Sequence, residues 1–168
     1  MLSASHLFCA CSQDPSLEPN TPRSDADIIL EAKRYTQEFQ QINQAPLPSV
    51  HQDDITVNTW ANERSEALFR SIPTMENDPD AQFDPGSFLL KEHFDANDTL
   101  VMYTLMYKQP PGYSPVSHDW WWAKLDSNFE VIEGVVGKGP EITSCYDCHD
   151  SATDVDFAIG VALADQTP

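Results

Sequence analysis

From Phe88 onward the chain offers four apolar, β-prone runs in succession, joined by links too short to hold a helix. FLLKEHF is followed, after Asp95-Ala96-Asn97-Asp98, by TLVMYTLMYK, which reads as a hairpin with a four-residue turn. After QPPGYSP comes HDWWWAKLD, then Ser127-Asn128, then FEVIEGVV, a second hairpin. Strands joined this closely must pair antiparallel, because a parallel pair needs a crossover of a dozen residues or more. Residues 55–60, ITVNTW, alternate as well and add a fifth strand. The chain is therefore expected to be α+β, with an antiparallel sheet of about five strands and helices placed ahead of it.

Residues 24–43 carry the helical signal. Ile28, Ala32, Tyr35, Phe39 and Ile42 recur at spacings of four and three, and Ser24 with Asp27 forms an N-cap. Asn62 caps a short helix that runs to Ile72, with Leu68, Phe69 and Ile72 inward, and Pro73 closes it. The tail DVDFAIGVALA is expected to be a closing helix, with Gly160 as its weak point. By strand alternation Trp120 and Trp122 share one face of the sheet and Trp121 takes the other.

Residues 1–23 are set apart from the domain at 24–168. MLSASHLFCACSQDPS has two readings: the tail of a bacterial lipoprotein export signal, with Cys11 as the lipid-bearing residue, or a terminus without structure. The first implies an exported, periplasmic protein. No run of about 18 apolar residues exists to span a membrane. Nine Lys and Arg face 27 Asp and Glu, a net charge of -18. That excludes nucleic acid and anionic membrane surfaces as partners, since both require clustered basic residues. It fits a solvated surface, or one that docks a basic, soluble electron-transfer partner. The acidic loop at 76–87 raises calcium, but its carboxylate spacing follows no known calcium loop.

Half of the four cysteines fall in one window, Ser144-Cys145-Tyr146-Asp147-Cys148-His149. Three chemistries use such a window. Covalent haem attachment takes two thiols three positions apart for the two vinyl groups, and the next histidine as axial iron ligand. A redox disulfide uses Cys-x-x-Cys, normally in a βαβ setting that this chain lacks. A structural zinc site wants four ligands, and the remaining cysteines lie far away at the N-terminus. The first gives each of Cys145, Cys148 and His149 a part, with haem c as the cofactor, and is the main expectation; a zinc-stabilised binding domain is the reading outside haem. A haem plate also needs an apolar wall, for which Phe88, Leu90, Phe94, Met102, Tyr103, Met106, Tyr107 and the three Trp are candidates. Met102 or Met106 in the sixth position would make a plain electron carrier.

These residues resemble the cytochrome P460 family, bacterial c-type haem proteins, over residues 86–152 and just beyond. The resemblance is carried by GSFLLKEHF, by GYSP…HDWWWAKLD, by GKGPEITSCYDCH and by SATDVDFAI. It implies a redox protein that oxidises hydroxylamine or related small nitrogen species. The alternative is a non-catalytic haem protein for electron transfer or for binding nitric oxide or another gas. Members are often homodimers. In the enzymes a lysine is bonded to the macrocycle edge, and Lys91 matches that position. Read from the sequence alone, Lys91 lies in an apolar run where a charge is costly, so it either loses its proton or reaches out to a carboxylate. The enzymes also place an acid where this chain reads Lys108-Gln-Pro-Pro-Gly, with no evident carboxylate. His93 shares the face of Lys91 and is the candidate base; Glu92 points away. His118 and Asp119 are weaker candidates.

Overall fold

The computed structural model describes residues 21–49, 53–74 and 81–168. The export-signal reading, Cys9 and Cys11 included, lies outside those residues, as does half of the acidic loop. Seven strands form one antiparallel sheet: β1 (Phe39–Gln41), β2 (Leu47–Pro48), β3 (Thr56–Asn62), β4 (Phe88–Phe94), β5 (Leu100–Lys108), β6 (Trp120–Asp126) and β7 (Val131–Lys138). The order is β1-β3-β4-β5-β6-β7, and β2 also pairs with β3. The α+β class and the antiparallel sheet are as expected. The two extra strands are short pieces on β3 that carry no alternation long enough to read.

Both hairpin turns are built the same way. Asp95 Oδ1 accepts the backbone N–H groups of Asn97 and Thr99, at 2.8 and 2.9 Å. Asp126 Oδ1 accepts those of Asn128 and Glu130, at 2.8 and 2.9 Å. An aspartate that binds backbone two and four residues on closes the loop without help from the sheet.

Residues 24–43 do not form one helix. Helix α1 (Asp25–Ala32) is capped by Ser24, whose hydroxyl accepts the Asp27 N–H at 3.2 Å. A single turn, α2 (Tyr35–Glu38), follows, and the chain then extends into β1, where Phe39 faces Asn62. Ile28, Ala32, Tyr35, Phe39 and Ile42 are all buried even so. The helical period identified the core residues correctly, and pairing with β3 overrode it after Glu38. Asn62 caps α3 (Glu63–Ser71), its side chain accepting the Ser65 N–H at 3.2 Å.

The sheet separates two cores. On one face α1 and α2 set Ile28, Ala32, Tyr35 and Phe39 against Phe88, Leu90, Tyr103, Leu105, Tyr107 and Trp121. On the other, α3, helix α4 (Thr143–His149) and the C-terminal tail cover Leu89, Met106, Trp120 and Trp122. The three tryptophans split between the faces as alternation requires.

The expected closing helix is absent. After a 3₁₀ segment over Asp150–Val155, both Asp156 and Phe157 adopt left-handed backbone, φ 55° and 64°. Two such residues in a row cannot sit inside a right-handed helix. Asp156 is drawn into this conformation by its partners. Its carboxylate, fully buried, accepts from Lys108 Nζ at 2.6 and 2.8 Å, from His118 Nδ1 at 3.0 Å and from the Phe83 N–H at 2.7 Å. Its carbonyl accepts Trp120 Nε1–H at 2.7 Å. Beyond it the tail runs close to α3. Gly160 sits where a Cβ would meet Ile72 Cγ2 at 2.9 Å, so any side chain there would push the tail off.

Removing the carboxylate leaves the Lys108 ammonium buried without a counter-charge. Asp156→Ala should lower unfolding free energy by about 3–5 kcal/mol, read from denaturant midpoints. A loss below about 1 kcal/mol would show that the pair does not fix the tail.

Candidate functional site

The face of β4, β5 and β6 turned toward α4 and the tail carries a cavity of about 430 Å³. Alternation decides which side chains reach it. From β4 come Leu89, Lys91 and His93; from β5, Met102, Thr104 and Met106; from β6, Trp122 and Lys124. Strand register arranges them in rows. Leu89, Met106 and Trp122 are successive cross-strand partners and form an apolar strip. The next row, from β3 to β6, is polar: Thr59, Lys91, Thr104 and Lys124. Val57, His93 and Met102 follow. Phe69 of α3, Ser144, Cys145 and His149 of α4, and Ile159 to Ala162 of the tail complete the wall.

Lys91 is half-buried, and its surface belongs to the cavity wall. Burial pushes its ammonium below the ordinary lysine range, and the Cys148 sulfur nearby offsets only part of that. A lysine that sheds its proton readily is a better nucleophile. His93, buried, holds Thr104 Oγ1 through Nε2 at 3.0 Å, so it is tied to the polar row. Glu92 faces away, as expected. It lies in the other core, where Tyr35 O–H, Trp60 Nε1–H at 2.9 Å and Asn58 Nδ2–H at 3.2 Å donate to it.

Cys145 and Cys148 are free thiols. Burial pushes the Cys145 thiol up, with Lys124 pulling the other way. A redox-active Cys-x-x-Cys needs the opposite shift, toward thiolate. His149 Nδ1–H donates to the Phe157 carbonyl at 2.6 Å, which leaves Nε2 as the basic nitrogen of the neutral ring. So the tail that Asp156 anchors also orients this imidazole.

The expectation of haem c, and of haem, iron or metal binding in general, is corrected. Among the described residues, no group of three or more His, Cys, Asp or Glu side chains could hold a metal ion. Helix geometry gives a reason. Residues four apart share a face, so Cys145 and His149 both reach the wall. Cys148 lies on the other side of Cys145 from His149, about 100° around the helix from that ring, and is not among the wall residues. Among the described residues the same finding removes zinc, and calcium in the described part of the acidic loop.

Met102 and Met106 do face the cavity. Phe88, Leu90, Tyr103 and Tyr107 belong to the opposite core and cannot wall it. His118 is held by Asp156, and Asp119 Oδ1 accepts the N–H groups of Gly112 and Ser114 at 3.1 and 2.7 Å. Both are loop-fixing residues away from the wall. The Lys108 region does have a carboxylate: Asp156 supplies it from 48 residues away in sequence. Lys124 went unremarked in the sequence, although counting two on from Trp122 places it on the cavity face.

No protein-family model, no curated protein and no solved structure matches the chain. No described helix is long and apolar enough to cross a membrane.

The Lys91 shift has a consequence for stability. The folded-state value lies below the ordinary 10.5, so between the two the unfolded chain binds the extra proton and stability rises with pH. Lys91→Met removes that penalty. The variant should be more stable than the parent near neutral pH, and the gap should close as pH approaches the ordinary lysine value. Denaturant midpoints of both proteins across that range check it; a gap independent of pH would contradict it.

Proposed function

We propose that the protein is a small-molecule-binding domain that works through this cavity and takes a flat, mostly apolar organic molecule. The observation that carries the reading is the wall itself. Leu89, Met106 and Trp122 make a continuous apolar strip across three strands, and the polar groups are gathered beside it in one row. An apolar surface with a few convergent polar groups is the usual make-up of a small-molecule site, and the volume lies in the common range of about 300–1,000 Å³.

The four stretches that resemble cytochrome P460 domains support the reading, because each supplies part of the wall. The first gives Lys91, the second Trp122 and Lys124, the third Ser144, Cys145 and His149, and the fourth Ile159. The activity implied by that resemblance, oxidation of hydroxylamine or a related nitrogen species, is a separate proposal, in which an external acceptor would take the electrons. So is an exported location.

Nile red, a flat neutral dye, is the probe for the cavity. Titrated into the full chain, it should bind with a blue-shifted emission, and Met102→Trp, which narrows the cavity, should weaken binding about tenfold. Equal binding by the variant would place the dye elsewhere and remove the reading. Hydroxylamine consumption is measured on the same protein with ferricyanide as electron acceptor; no consumption above a protein-free control removes the enzymatic part.

A further inference from the structure

The cavity inverts the charge of the chain that encloses it. Acidic residues number 27 of 168, against nine basic ones. Yet among the described wall residues there is no Asp or Glu, while Lys91, Lys124, His93 and His149 are all present. Neither Lys91 nor Lys124 makes an ion pair with a carboxylate among the described residues. Of the other seven cations four are paired, Arg23 with Glu31, Arg34 with Glu38, Arg70 with Glu66 and Lys108 with Asp156, and the three that make no ion pair among the described residues, Lys33, Arg64 and Lys138, are exposed to solvent.

The placement of the two lysines is regular. Lys91 and Lys124 are both cross-strand partners of Thr104, one on each side. Two strand spacings put their backbones about 10 Å apart, with a hydroxyl between them. Long side chains starting at that separation can close on one small group from both sides. The apolar strip Leu89–Met106–Trp122 lies one row away, within reach of the same molecule.

We infer that the ligand of this cavity is an anion: a flat apolar body on the strip, with one acidic group held between Lys91 and Lys124 over Thr104. The inference rests on the reading of the cavity as a ligand site and names the class of ligand. Two unpaired ammonium groups in a partly desolvated wall cost free energy when empty, and a bound carboxylate offsets that cost. Burial loosens the Lys91 proton in the empty site, and an adjacent anion draws it back.

A matched pair of probes tests this: 2-naphthoate and its neutral isostere 2-naphthamide, each titrated calorimetrically into the full chain at low salt. The naphthoate should bind about tenfold or more tightly than the amide. Lys124→Met should weaken naphthoate binding and shrink its advantage over the amide, with circular dichroism to check that the variant folds; an unchanged ratio of the two affinities would overturn the role given to Lys124. Equal affinity of the two probes for the parent protein overturns the anion inference and leaves the cavity reading standing; it needs no variant at all. Binding of neither probe overturns both.

Discussion

The cavity side of this protein hangs from the carboxylate of Asp156. It is buried without any contact with water and is satisfied from three directions: the end of β5 through Lys108, the residues before β6 through His118, and the loop ahead of β4 through the Phe83 backbone. A buried carboxylate with this many donors is worth keeping only if the whole arrangement is kept, since losing any one donor leaves a charge partly uncompensated. Asp156 therefore acts as a joint. It stops the 3₁₀ segment, forces two left-handed residues and sends the tail back across the sheet. The Phe157 carbonyl, the next in line, then meets His149. The position of an imidazole on the cavity wall is thus set by an ion pair that is not on the wall.

The rest of the site follows from period two. Three neighbouring strands in antiparallel register turn alternate residues to the same side, so a sequence written along each strand becomes rows across them. The apolar strip and the polar row are one residue pair apart on every strand. Neither is visible in any single segment: Lys91 stands out in its apolar run, but Thr104 and Lys124 join it as a set only when β4, β5 and β6 are laid side by side. The opposite face uses the same device for another purpose. Glu92 is placed among Tyr35, Asn58 and Trp60, where its charge is fully bonded and serves packing.

This explains what could be read in advance. The class, the hairpins, both helix caps and the split of the tryptophans are local or nearly local, and period and turn chemistry reveal them. The helix expected over 24–43 marked the right core residues and the wrong element, because the competing partner, β3, lies some twenty residues away. The tail was misread because its conformation is decided by Lys108 and His118, far off in sequence. Lys91 and His93 were rightly put on one face, with Glu92 on the other. The Cys145, Cys148 and His149 window was legible as a motif, but a motif does not state which side chains converge. On a helix, residues three or four apart are neighbours and adjacent ones diverge, so Cys148 and His149 point about 100° apart, and among the described residues the metal expectation failed.

The net charge of the chain and the charge of its cavity pull a negative ligand in opposite directions. At a distance the ligand meets a surface carrying -18, which slows its approach. That field fades over a Debye length of about 8 Å at physiological salt, so it acts on encounter and little on the bound state. Inside, Lys91 and Lys124 act at contact distance and away from bulk water, where a charge pair is several times stronger than at the surface. The two effects do not cancel, because one sets the rate of arrival and the other the depth of the well. A wall cleared of carboxylates in so acidic a protein is what such a division requires: a single Asp among those rows would pair with one lysine and leave the ligand to compete with the protein's own side chain.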